Sequence, residues 1–103
     1  MRNPTPLPVR RSITTIGTHL ATWRRLRGLT AEQIADRAGV SRSTVSALEA
    51  GRGASLENTL RVARAVGVLD LLTDAIDPYE TDLGRARANE ALPLRVRRPR
   101  TQE

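Results

Sequence analysis

Residues 29–53 read LTAEQIADRAGVSRSTVSALEAGRG, and this stretch decides the fold. Thr30 and Gln33 stand at capping-box spacing: the hydroxyl accepts from a first-turn amide and the side-chain amide reaches back. A helix is predicted there, with Ile34, Ala35 and Ala38 on its inner side. Gly39 ends it, with positive φ expected. Ser41 is a good N-cap for a second helix whose inner face is Val45 and Leu48. Gly51 and Gly53 then break the chain. Two short helices joined by a turn of about three or four residues bury little unless they cross at a steep angle. Ala35 permits the close approach, Gly39 permits the turn, and Val40, Val45 and Leu48 fill the angle.

Outward from this pair the pattern stays helical. Upstream, from about Ser12, Ile13, Ile16, Leu20 and Trp23 recur at three- and four-residue spacing and predict one apolar face. Gly28 stops that helix after Arg24, Arg25 and Arg27, whose charges suit a helix C-terminus. Downstream, Ser55 caps a fourth helix with Leu56, Leu60, Ala63 and Val66 inside, and Gly67 closes it. A short fifth helix is expected at about 69–76, and Pro78 forbids its continuation. Residues 81–91 have the composition of a further short helix. With Pro4, Pro6 and Pro8, residues 1–11 are expected to be a non-helical, flexible arm. The last segment, LPLRVRRPRTQE, is expected to be a loose one. The expected fold class is all-α, a compact five-helix bundle over 12–77. It is flanked by the N-terminal arm 1–11 and a basic C-terminal extension 78–103, partly disordered or dimerising.

Composition narrows the chemistry. A chain of 103 residues suggests one domain with a modest core. Trp23 and Tyr79 are the only aromatics, so Leu, Ile, Val and Ala must build that core. The absence of cysteine excludes disulfides, thiolate zinc sites and thiol nucleophiles. His19 is the one histidine and reads as a surface residue. No paired carboxylates, Gly-rich phosphate loop or metal-ligand cluster is visible, and Glu32 and Asp36, four apart, read as a solvated face. No catalysis, metal or cofactor is expected. No apolar run is long enough to cross a bilayer and the N-terminus lacks a signal-peptide pattern, so a cytoplasmic protein with no membrane partner is expected.

The net charge is +6 and every basic residue is arginine, which favours anionic partners. Residues 1–11 carry +3 and residues 12–53 another +3, whereas residues 54–77 carry −2 and residues 78–103 carry +2. Such a division suits a chain with one nucleic-acid-facing side.

The helical pair meets the demands of a helix-turn-helix. Ala35, Gly39 and Val45, with Ile34, Val40 and Leu48, resemble the signature of the phage Cro/repressor family, also called Xre-type. Ile16, Leu20, Trp23 and Arg24 before the motif and SLENTLRVARAVGV after it extend the likeness over about residues 12–76. The resemblance implies binding to double-stranded DNA, with residues 42–50 as the recognition helix in the major groove. It implies base contacts from Arg42, Ser43, Thr44 and Ser46, with Arg42 able to give a bidentate pair to guanine. Phosphate contacts are implied at Thr30, Gln33, Ala47, Arg52 and Ser55, and Arg24 with Glu49 is implied as a structural pair. Relatives often place Gln where this chain has Ala31, and Ala47 offers only a methyl, so DNA shape is expected to supply part of the specificity. Arg10 and Arg11 before the first helix, and Arg95, Arg97, Arg98 and Arg100 in the tail, are candidate arm contacts. The resemblance also implies a homodimeric repressor on a palindromic operator. The alternative it carries is an antitoxin-like module that docks a protein partner through its C-terminal extension.

Overall fold

The computed structural model describes residues 3–91, so the tail arginines Arg95, Arg97, Arg98 and Arg100 lie outside the described residues. All regular structure among the described residues is helical: α1 (Leu7–Leu26), α2 (Ala31–Ala38), α3 (Arg42–Glu49), α4 (Leu56–Ala65), α5 (Leu69–Ala75), a 3-10 turn (Pro78–Glu80) and α6 (Asp82–Ala91). Six α-helices are present among the described residues, one more than the five counted for the bundle; the sixth, α6, falls where a further short helix was expected. The chain divides into two units, Met1–Leu69 and Asp70–Glu103.

The largest departure is at the N-terminus, where α1 begins at Leu7 and runs through Arg10 and Arg11. Of the prolines that suggested an arm, Pro6 and Pro8 instead start the helix, and Pro4 lies before it. Pro6 is the N-cap, with φ −59° and ψ 145°, and its carbonyl accepts from the amides of Val9 and Arg10 at 3.0 and 3.1 Å. Pro8 falls in the first turn, where a missing N–H costs nothing because that donor has no intrahelical partner.

In the first unit α2 packs on α3 and α4, and α1 packs on α3. The fully buried side chains are Ile34 from α2, Val45 from α3, Val62 from α4 and Val66 just after it, with Leu48 and Ala63 beside them. Each large one contributes about 1.5–3 kcal/mol over an exposed position. Along α1 the buried residues are Gly17, Leu20 and Ala21, while Ile16 is exposed and Trp23 half-buried. The inner face is therefore rotated toward the small residues, because α3 approaches the backbone of α1 and not a row of large side chains. On α4 the same kind of shift turns Leu56 outward and brings Val62 in.

Three arginines tie helix ends together. Arg27 Nε donates to the Val66 carbonyl at 2.9 Å, and its guanidinium lies 5.4 Å from the centroid of the Trp23 ring. Arg61 Nη1 donates to the Ala38 carbonyl at 3.3 Å, and Arg24 Nη1 to that of Leu29 at 2.9 Å. Each meets a carbonyl at or just past the end of a helix, which would otherwise lack a partner. Part of the basic charge is thus structural.

The second unit has no buried residue between 70 and 90. Asp77 caps the 3-10 turn by accepting from the Tyr79 amide at 2.9 Å, and Thr81 accepts from the Gly84 amide at 2.9 Å at the start of α6. Arg85 pairs with Asp82 at 2.8 Å and donates to the Tyr79 carbonyl, so α6 is fastened to the 3-10 turn.

Candidate nucleic-acid interface

The interface is built on how α2, α3 and α4 begin. Thr30 and Gln33 close the capping box at the start of α2: the Gln33 amide donates to Thr30 Oγ1 at 3.1 Å, and the Thr30 amide donates to Gln33 Oε1 at 2.9 Å. Ser55 caps α4 by accepting from the Asn58 amide at 3.0 Å. These bonds use acceptor capacity only. The hydroxyl hydrogens of Thr30 and Ser55 and the side-chain N–H groups of Gln33 remain as donors suited to a phosphate.

Ser41 caps α3 by accepting from the Thr44 amide at 3.1 Å. Its hydroxyl also bonds those of Ser43 at 3.0 Å and Thr44 at 2.9 Å. The first turn of α3 thus carries a hydroxyl cluster, and Ser43 and Thr44 are partly engaged in it. Arg42 stands beside that cluster, exposed and outside every ion pair among the described residues. Ser46, one turn on, is half-buried. Ala47 is half-buried as well, and its amide lies past the free first-turn donors of α3, so it supplies no phosphate donor. Its carbonyl instead accepts from the Arg52 amide at 2.9 Å, which fixes the loop after α3. Arg52 lies exposed in that loop between Gly51 at φ 84° and Gly53 at φ 86°, a sharp turn that glycine allows without strain.

The far end of α3 is anchored by Glu49. Arg24 Nε donates to Glu49 Oε2 at 2.7 Å and Nη2 to Oε1 at 2.9 Å, with both side chains only 14% exposed. The hydrogen bond to Glu49 raises the Arg24 pKa against the opposing effect of burial, and the carboxylate charge adds to the rise. A raised pKa contributes stability below the ordinary arginine range and loses it only as pH rises past the folded value, so this contribution is constant across physiological pH. Glu49→Ala is expected to lower stability by about 1–3 kcal/mol, because a covered guanidinium loses its partner. A thermal melt reads this as a lower Tm, with Glu49→Gln falling between variant and parent. Equal Tm values for all three would remove the anchoring role.

Arg10 and Arg11, placed by the sequence on an arm, are exposed on α1. Gly17, at which a Cβ would lie 2.0 Å from the Leu48 carbonyl oxygen, carries no local sequence signal.

Two short helices packed together across a three-residue turn, the second carrying an exposed arginine on its first turn, make this a helix-turn-helix protein. The chain belongs to the helix-turn-helix domain family, whose model matches residues 15–76, more than half of its length. It is 51% identical over 45 residues to an uncharacterized HTH-type transcriptional regulator of Methanothermobacter thermautotrophicus, a span of 43% of this chain and 65% of that protein. No solved structure matches it. No helix among the described residues is long and apolar enough to cross a membrane.

Proposed function

We propose that this protein is a sequence-specific, double-stranded-DNA-binding transcriptional regulator of the Cro/repressor type. It works in the cytoplasm as a homodimer and represses by occluding a promoter. Helix α3 enters the major groove by its N-terminal end, with Arg42 reading a guanine and Ser43, Thr44 and Ser46 completing the contact. Thr30, Gln33, Arg52 and Ser55 hold phosphates on either side. The single observation that carries this reading is the exposed Arg42 beside the hydroxyl cluster on the first turn of a helix anchored at its other end by Arg24 and Glu49.

Selection from random duplex DNA tests it. The expected result is an enriched palindrome with half-sites about 34–36 Å apart, as a two-fold dimer requires. No enrichment would overturn it.

One observation favours a second reading, the antitoxin-like interaction module. Leu71, Ile76, Tyr79 and Leu83 are 59, 85, 52 and 66% exposed, in a unit with no buried residue between 70 and 90. On that reading a protein partner covers them. It becomes the leading reading if selection fails.

A further inference from the structure

Arg10 and Arg11 lie on the second turn of a well-formed helix, so their backbone is fixed before any ligand arrives. With Leu7, Thr14 and Thr15 they line a shallow concavity of about 380 Å3. Thr14 follows Arg11 by three residues and Arg10 by four, so all three share one side of α1. That side abuts the loop after α3. A Cβ on Gly51 would stand 2.9 Å from Thr14 Oγ1 and 3.2 Å from Thr14 Cα, and one on Gly53 would stand 3.5 Å from Ile13 Cγ2. Arg52 lies between these two glycines. Arg10 and Arg11 thus stand one turn before the Thr14–Gly51 contact on α1 and Arg52 beside it in the loop; all three are exposed and none joins an ion pair among the described residues.

We propose that Arg10, Arg11 and Arg52 form a phosphate clamp on the sugar-phosphate backbone of the same duplex whose bases α3 reads. The inference rests on the DNA-binding reading above. Arginine suits the role because its planar fork meets two phosphate oxygens at once. The cluster offers three such forks, two on α1 and one in the loop after α3. Its ordered backbone removes most of the entropy loss that a flexible arm suffers on binding.

The test compares wild type, Arg10→Ala/Arg11→Ala, Arg10→Lys/Arg11→Lys and Arg42→Ala in the full chain. Fluorescence anisotropy is read on the selected operator and on a random duplex of equal length over a potassium chloride series. Each lost phosphate contact flattens the plot of log affinity against log salt by about 0.9, so the double alanine variant is expected to lose about 1.8 in slope. Its loss of affinity is expected to be the same on both duplexes, its base preferences unchanged and its thermal melt that of wild type. The double lysine variant is expected to keep most of the slope. An unchanged slope in the double alanine variant, or a loss confined to the operator, overturns the clamp while leaving the DNA reading intact. Failure of the wild type to select any duplex overturns both.

Discussion

Gly17→Ala is expected to unfold much of the population at temperatures where the parent is fully native. By helix propensity alone the change is favourable by about 1 kcal/mol, since glycine is a poor helix former. The tertiary contact reverses the sign. The added Cβ would lie 2.0 Å from the Leu48 carbonyl oxygen, 3.1 Å from the Leu48 carbonyl carbon and 3.4 Å from the Glu49 oxygen. All three are backbone atoms, so no rotamer change relieves the clash. The Leu48 carbonyl is also held in place, because it accepts from the Gly51 amide at 3.1 Å at the end of α3. Helix α1 must therefore withdraw from α3. The withdrawal loosens the packing around Val45 and Leu48 and strains the Arg24–Glu49 pair. Overpacking of this kind costs about 3 kcal/mol at the upper end of the usual range. For a domain of this size that is a fall in Tm of roughly 10–25 °C. Melts followed by far-ultraviolet circular dichroism decide it, and a Tm at or above that of the parent would show that α1 and α3 do not meet this closely.

Arg42→Ala is expected to leave the melt unchanged and to remove one base preference from the selected operator. Arg42 is exposed and joins no ion pair among the described residues, so its loss leaves no buried group unpaired. A bidentate contact to guanine is worth about 1–3 kcal/mol of discrimination. That corresponds to a loss of roughly 5- to 150-fold on the operator, with little change on random duplex. Ser43→Ala is expected to do much less, because the Ser43 hydroxyl already bonds that of Ser41. A uniform loss on operator and random duplex with every base preference intact would make Arg42 a phosphate ligand.

Much of the motif was legible in the sequence because its signals are local. The Thr30–Gln33 box, the Ser41 and Ser55 caps and the positive φ of Gly39 each depend on residues within one turn, and each is formed. The inner residues Ile34, Ala35, Ala38, Val45 and Leu48 were legible from helical period. Pro6 and Pro8 misled because proline breaks a helix interior but not a first turn, and which of the two applies depends on where the helix starts. Leu56 and Ile16 misled because period alone does not say which edge of an apolar stripe meets the neighbour.

The sequence by itself determined helices α2, α3 and α4, their caps and the exposed first turn of α3, since hydrogen-bonding side chains and glycines act over a few residues. Only the tertiary structure decided how the helices meet. It chose Gly17 and Ala21 over Ile16 on α1, because the α3 backbone comes too close for anything larger. It turned Arg27 and Arg61 from surface charges into ties on the carbonyls of Val66 and Ala38. It also set Thr14, one turn from Arg10 and Arg11, against the loop that carries Arg52. Those contacts join residues about 23 to 39 positions apart in the chain, and no local period encodes a distance of that kind.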